Sequence, residues 1–247
     1  IEKLPNVTII EEDLKNYDIC LKYIKDVDIV YHLAEIVSGV DFAFNNQSFI
    51  FRQNVLINSN VLSACIQNSI KKYIYVGTAC SYPKENQHKQ GLNYFREEDI
   101  HPLTPETSYG MSKYLGEYEA ELVAKENDID IAIIRLHNVY GPYCSFEDKT
   151  SQVIPALIKK SINSDKYLEI WGSGNQYRDF VYVDDVVDAF SRRYLAIEIL
   201  GDSLVSLVFA LNENPKIEIV FPERFPKSFL TIIFTILSCC QSFISIT

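Results

Sequence analysis

Lys72-Tyr73-Ile74-Tyr75-Val76-Gly77-Thr78-Ala79-Cys80-Ser81-Tyr82-Pro83 is the stretch on which the fold turns. Its first five residues are aromatic or β-branched after the lysine, and they stop at a glycine followed by small and hydroxyl residues, the pattern of a buried strand. Thr78 then falls at the strand's carboxyl end, where open α/β sheets bind their ligands. Working outward, Asp28-Ile29-Val30-Tyr31-His32-Leu33-Ala34 and Ile129–Leu136 read as further buried strands, Val7–Ile10 and Phe180–Val183 as short ones. Between them Leu14–Ile24, Asn46–Ile70, Tyr109–Lys125 and Ser151–Ser161 carry helical patterns, the last despite Pro155 near its start, and Asp184 and Asp185 open one more. Strand and helix alternate, which predicts right-handed βαβ units and a parallel sheet in an α/β protein. Tyr82–Thr107 is polar and proline-bearing, a connection long enough to expect function in it.

The chain has 247 residues, 47% of them hydrophobic, enough for a full core in one or two domains. A net charge of −10 argues against a nucleic-acid surface, which needs a basic face. Cys20, Cys65, Cys80, Cys144, Cys239 and Cys240 form no CxxC pair, and His32, His88, His101 and His137 are scattered, so neither a disulfide framework nor a metal site is expected. Reduced thiols suit a cytoplasmic location. Ile1–Glu11 has no signal-peptide character, and Met111 is the only methionine, so the sequence reads as an internal piece of a longer chain. Beyond about Ser191 the alternation fades, dividing the chain into residues 1–190 and an atypical segment 191–247 with the composition of a non-native tail. Ser228–Thr247 has no charged residue and the length to cross a bilayer, but its Ser, Thr and Gln content and Cys239-Cys240-Gln241 favour a tail over a membrane span.

Tyr109 and Lys113 are four apart on a predicted helix and share one face. An ammonium beside a phenol favours the phenolate, which makes the tyrosine usable as an acid/base near neutral pH. Alone, the pair is equally a solvated helix face in a chain with 16 tyrosines.

With the rest of the chain the pair gains context. Asp13-Leu14, His32-Leu33-Ala34, Asn54, Gly77-Thr78, Tyr109-x-x-x-Lys113, Arg135-Leu136-His137-Asn138-Val139-Tyr140-Gly141-Pro142 and Arg178-Asp179-Phe180-Val181-Tyr182-Val183-Asp184-Asp185 occur in one order. In that order they resemble the extended short-chain dehydrogenases/reductases, in the branch of nucleotide-sugar epimerases and dehydratases, from about Val7 to Phe190. The resemblance implies a Rossmann-like, doubly wound parallel sheet and an NAD or NADP cofactor. It implies that Asp13 and Leu14 contact adenine, that Leu33 and Ala34 line the dinucleotide, and that Asn54 supports the cofactor-side loop. Thr78, Tyr109 and Lys113 match the catalytic hydroxyl, the general acid/base and the lysine on the nicotinamide ribose, so that a proton leaves a sugar hydroxyl as the nicotinamide takes a hydride. Asn138 and Arg178 match substrate contacts, the arginine to the nucleotide diphosphate, for which its planar fork is suited. The plain alternatives are caps for Asp13 and Asn54, and a surface ion pair with Asp179 or Asp185 for Arg178.

Within the branch, sugar 4,6-dehydratases typically carry Asp or Glu just after the hydroxyl, where this chain has Ala79-Cys80. Cys80 before Ser81-Tyr82-Pro83 looks like the GDP-sugar epimerases, the GDP-mannose 3,5-epimerase and GDP-fucose synthase groups; Phe49–Asn60 resembles the latter, His137–Pro142 and Glu169–Gly172 the former. A ketone at sugar C4 acidifies the neighbouring C–H bonds, and a thiol with an ordinary pKa near ~8.5 is within tuning range to remove a proton. The alternative for Cys80 is a small buried apolar residue. The implied activity is epimerisation of a GDP-sugar by transient oxidation at C4 with proton exchange at C3 or C5; a UDP-hexose 4-epimerase and a truncated chain that binds no cofactor are the alternatives. Three features depart from the pattern. No clear second acid follows Gly141-Pro142, only Tyr143, Cys144 and Lys149; Glu35 stands where the family usually has a second alanine; and the N-terminal βαβ portion with G-x-x-G-x-x-G is missing. The family also pairs the two long helices across a homodimer, and Leu115, Tyr118 and Leu122 form a stripe that faces either the sheet or such a partner.

Overall fold

Alternate residues of the strand Lys72–Thr78 serve two different cores. Tyr73 and Tyr75 pack with Val30, Ile131 and Ile133 against Cys20, Ile57, Val61, Cys65, Ala120 and Val123. Ile74 and Val76 pack with Tyr31, Ala132 and Ile134 against Val186 and Phe190. A strand covered on both sides is what a parallel sheet with crossover helices requires.

The computed structural model describes residues 7–37, 39–87, 95–147, 150–164, 167–170, 178–190 and 204–208. Helix α1 (Tyr17–Ile24) leads into β1 (Ile29–His32), and α2 (Val40–Asn45) and α3 (Gln47–Gln67) lead into β2 (Lys72–Thr78). A 3-10 turn (Ala79–Ser81), the one-turn α4 (Lys84–Gln87), a second 3-10 turn (Glu97–Ile100) and α5 (Ser108–Glu126) precede β3 (Asp130–Leu136). Then follow β4 (Asn138–Tyr140), α6 (Val153–Ile162), β5 (Phe180–Tyr182), a helix α7 over 183–190 and β6 (Leu204–Val208). The main sheet runs β1-β2-β3-β6 with parallel neighbours throughout, and β4 pairs with β5, also parallel, as a separate ribbon.

Local chemistry sets the helix starts. Asn16 caps α1 by accepting from the Asp18 N–H at 3.0 Å, and Thr107 caps α5 by accepting from the Gly110 N–H at 3.3 Å. Pro155 is the third residue of α6, in the first turn, where backbone N–H groups have no intrahelical acceptor to lose.

Four readings change. Val7–Ile10 belongs to neither sheet: β-branching favours a strand only where a neighbour supplies a ladder, and β1 is paired with β2 alone among the described strands. Tyr82–Thr107 is not structureless, since two short helical turns form within it and Lys84 N–H donates to Thr104 O at 2.9 Å. Asn138–Tyr140, read only as a motif, is a strand. Residues 204–208, inside the segment set apart by composition, add the fourth strand of the main sheet. Ser228–Thr247 lies outside the described residues; among those described, no helix is long and apolar enough to cross a membrane.

One buried ion pair fastens α5 to the sheet. Arg135 of β3 donates to Glu117 of α5 at 2.8 Å and, through Nη1, to the Tyr82 hydroxyl and Glu97 O, both at 3.3 Å. Gly77 of β2 lies directly beneath: a Cβ there would run into the Glu117 carboxylate. Burial pushes the Glu117 carboxyl up to about 7, against the pull of Arg135. A carboxyl raised in the folded state holds a proton that the unfolded chain has lost, so its contribution to stability falls as pH rises from about 4.5 to about 7. His32, buried and lowered to about 4, acts in the opposite sense as pH falls below its ordinary 6.5. Comparison with a variant isolates Glu117: the unfolding midpoint of Glu117→Gln is expected to fall less than wild type's over this pH interval, measured by circular dichroism; equal slopes would contradict the assignment.

Candidate functional site

The site begins where β2 ends. Thr78 is buried in extended backbone, and its Oγ1 accepts from the Cys80 N–H at 3.2 Å, which starts the 3-10 turn Ala79–Ser81. Ser81, fully buried, donates to Gly110 O at 3.0 Å. Gly110 is glycine for a steric reason, because a Cβ would occupy the position of the Cys80 carbonyl oxygen. The residues after β2 are therefore pressed against the first turn of α5, the turn that carries Tyr109. One turn further, Lys113 is buried, donates to Val76 O at 2.6 Å and pairs with Glu35 at 2.9 Å. The structure thus gathers Thr78, Cys80, Tyr109 and Lys113 about the carboxyl end of β2.

Cys80 is exposed, so the alternative of a buried packing residue does not hold. Protein nevertheless surrounds the thiol and raises its pKa, while the Thr78 hydroxyl and the Arg178 charge pull it down. Solvent thus reaches the residue while protein atoms lie close around its sulfur. Arg178 is therefore close enough for its charge to act on the thiol. The β4–β5 ribbon brings it there: Asn138 sits opposite Phe180 and donates from Nδ2 to Asp179 O at 2.8 Å. Asn138 and Arg178 are both exposed.

On the other side, Leu33 and Ala34 follow β1 and are half-buried. Asn54 is fully buried and grips both backbone groups of Ile36, accepting from its N–H at 2.8 Å and donating to its O at 3.2 Å. Asn54 thus braces the loop that follows β1. Asp13 instead closes a local turn, accepting from Lys15 N–H at 3.0 Å and pairing with the Lys15 ammonium at 3.2 Å, as a cap does. Leu14 is tied to α3, its O accepting from Asn60 at 3.2 Å.

A string of buried polar groups joins these parts and was not anticipated. His32 Nε2 and Asn58 Oδ1 are 2.7 Å apart, Asn58 donates to the Tyr75 hydroxyl at 3.1 Å, and that hydroxyl faces Glu35 Oε1 at 3.2 Å and Lys113 O at 3.1 Å. The available signal was the polar residue closing an apolar strand, His32, and two asparagines four apart, Asn54 and Asn58, on one helix face. Ser81 and Gly110 gave a signal only in a glycine near a helix start. Among the described residues no three His, Cys, Asp or Glu side chains gather as a metal site would need.

Gly110→Ala tests the close approach. Forcing a methyl against the Cys80 carbonyl is expected to cost ~1–3 kcal/mol, as overpacking does, and to alter the rate at which a thiol reagent labels Cys80. An unchanged melting temperature and labelling rate would show that α5 is free to move away.

The family model of the NAD-dependent epimerase/dehydratase family matches residues 1–197. GDP-mannose 3,5-epimerase 1 of Oryza sativa subsp. indica is 31% identical over 217 residues, 86% of this chain and 56% of the relative. GDP-L-fucose synthase of Escherichia coli is 30% identical over 170 residues, 66% of this chain and 51% of the relative. The chain thus spans about half the length of the curated relatives it matches. Among solved structures, the dTDP-glucose 4,6-dehydratase of Streptomyces venezuelae with NAD bound superposes with a TM-score of 0.66 over 84% of this chain and 69% of that one, at 19% identity. At that identity the likeness concerns the fold, a Rossmann-like α/β architecture.

Proposed function

Because this chain belongs to the NAD-dependent epimerase/dehydratase family, we propose that the protein is an NAD(P)-dependent nucleotide-sugar epimerase acting on a GDP-sugar, with proton exchange at C3 or C5. The observation that carries the reading is the exposed Cys80 one residue beyond the next neighbour of Thr78, pressed against the helix of Tyr109 and Lys113 and within range of the Arg178 charge. The two GDP-sugar relatives support the nucleotide.

The residues present fit the nicotinamide end of a dinucleotide. Lys113 offers an N–H, and Glu35 Oε2 is a buried acceptor without a hydrogen-bond partner of its own, a complement to a ribose diol. Asn54 fixes the loop of Leu33 and Ala34 beside them. The 247 residues contain no G-x-x-G-x-x-G, so no glycine loop within this sequence would hold the pyrophosphate.

A bound nicotinamide would supply the hydride acceptor and donor. Tyr109 takes the proton of the C4 hydroxyl, with the Lys113 charge favouring the phenolate. The Thr78 oxygen accepts from Cys80 N–H, which leaves its own proton to donate to the sugar oxygen. Arg178 holds the diphosphate, and Cys80, as thiolate, removes the acidified proton at C3 or C5. Tyr109→Phe is expected to reduce turnover by ~10²–10⁴-fold.

Incubation with GDP-sugars in deuterated water tests the reading. Solvent deuterium is expected at C3 or C5 and is expected to vanish in Cys80→Ser. Burial holds the Cys80 thiol above the ordinary thiol range, so the thiolate fraction and the exchange rate should climb about tenfold per pH unit upwards from neutrality. Inversion at C4 with no deuterium entering would replace this reading by a UDP-hexose-type 4-epimerase.

The full protein is also proposed to be a two-fold dimer through α3 and α5. Tyr118 and Leu122 on α5 and Phe49 and Leu56 on α3 are exposed, and α3 and α5 pack side by side. Light scattering should give twice the chain mass, and Tyr118→Glu with Leu122→Glu should halve it; a wild-type monomer at micromolar concentration would refute the dimer.

A further inference from the structure

In the proposed reaction Glu35 serves only as an acceptor towards a ribose, but its contact with Lys113 reaches further. Its side chain is 1% exposed, its Oε1 lies 2.9 Å from Lys113 Nζ, and Tyr75 reaches the same oxygen at 3.2 Å. Lys113 is held in turn by Val76 O, so two of its three N–H groups are directed at the protein before any ligand arrives. The carboxylate comes from the loop after β1, and Asn54 fixes that loop at Ile36, the next residue, so Glu35 cannot easily withdraw. A lysine in contact with a fixed carboxylate presents a much weaker field to a third group than a lysine alone, because at distances beyond the pair the two charges largely cancel. Tyr109 is such a third group, one helical turn from Lys113.

We propose that Glu35 is a positioning residue for the Tyr109–Lys113 pair: its carboxylate holds the lysine and offsets its charge, so that Glu35 and Lys113 together set how readily the Tyr109 phenol ionises. The inference rests on the reading of Tyr109 as the acid/base group. The titratable groups that act on Glu35 or Lys113 are Tyr73 and Tyr75 of β2, His32 of β1 and Glu117 of α5, while on the Tyr109 side lies Cys80, with the Arg178 and Glu106 charges acting on its thiol. His32 is neutral near pH 7, being lowered by burial and by Lys113, and both tyrosines are raised well above their ordinary range by burial, so none of these three competes as an ion. Glu117 is anionic only above about 7 and is already matched by Arg135. Glu35, 2.9 Å away, is thus the carboxyl that bears most directly on Lys113. Burial raises its carboxyl while Lys113, Asn58 and Tyr75 oppose the rise.

The test reads the phenol itself and needs neither substrate nor cofactor. Protein labelled with ¹³C at the tyrosine Cζ is titrated by NMR, and the Tyr109 resonance is identified by its loss in Tyr109→Phe. In Glu35→Gln and Glu35→Ala the Tyr109 midpoint is expected to fall by on the order of one pH unit, about a tenfold gain in phenolate at a given pH. A midpoint unchanged from wild type, in variants shown to be folded by circular dichroism, would overturn the proposal. Should both variants fail to fold, Glu35→Asp keeps the charge and draws it back by one methylene. Its Tyr109 midpoint is expected to fall by a smaller amount, and no fall would again overturn the proposal. Wild type alone gives a second readout, since ¹³C at the Glu35 carboxyl reports its own titration. The Tyr109 resonance should show an inflection at the Glu35 midpoint, and its absence counts against the coupling. A shifted phenol in a protein that turns over no nucleotide sugar keeps this inference and removes the enzymatic reading; turnover with an unmoved phenol does the reverse.

Discussion

The central strand β2 has to be covered on both faces, and one of its faces brings phenols into the core. Ile74 and Val76 pack with Ala132, Ile134, Val186 and Phe190 on the side of α7. On the helix side, Tyr73 and Tyr75 are buried, and a buried hydroxyl needs partners or costs free energy. Tyr75 finds them in Asn58 of α3, in Glu35 of the loop after β1 and in the carbonyl of Lys113 on α5. One strand residue thereby ties together two helices and the loop that would face a dinucleotide. Core packing and the candidate site are built from the same side chains.

The inner face of α5 shows how close the approach is. Its buried residues include Gly110, Lys113, Gly116, Glu117 and Ala120, spaced three and four apart. A Cβ at Gly116 would strike the Tyr75 hydroxyl, and one at Gly110 would strike Cys80 O. Over its first turns the helix lies against β2 and the turn after it through glycines and polar side chains, and Ala120 and Val123 join the apolar core only further along. What fills the space is a lysine and a glutamate, each with a partner supplied from another element.

This arrangement also explains what was legible in the sequence. The strands Ile29–His32, Lys72–Thr78 and Asp130–Leu136 were readable because two-sided burial makes them continuous apolar runs. The long helices were readable from their periodicity, to within a few residues at each end. Thr78, Tyr109, Lys113 and Asn54 were singled out only through the resemblance; the structure puts Thr78 at the end of β2, Lys113 on Val76 O and Asn54 on Ile36. The orientation of α5 was not readable. Leu115, Tyr118 and Leu122 are its apolar stripe, yet Tyr118 and Leu122 are exposed and the charged residues Lys113 and Glu117 point inward. Apolar periodicity finds the buried face only when buried residues are apolar, and here ion pairing reverses it. Asn58 and Ser81 escaped notice for the same reason: the partners of a buried polar side chain lie far along the chain, and no local pattern announces them. Val7–Ile10 failed in the other direction, since a β-branched run carries no information on whether a neighbouring strand exists.

Lys113 and Glu117 are four apart on that inner face, so their two ion pairs are not independent. The Lys113 charge acts on Glu117 as well as on Glu35, and Arg135 balances Glu117 from β3. With both carboxyls ionised, Glu35, Lys113, Glu117 and Arg135 form a row of alternating sign that sums to zero. Buried ion pairs contribute little net stability compared with a well-packed apolar core, but removing one member leaves a charge that the interior cannot solvate. The row therefore constrains the helix more than it stabilises it: α5 cannot slide or rotate without separating opposite charges in a medium of low polarity. Tyr109, one turn before the first lysine of that row, inherits a fixed position and a fixed electrostatic setting from it. An alanine in place of Glu35 would leave Lys113 as the unbalanced member, nearest to Tyr109 of the four, so any change in the row is felt first at the phenol.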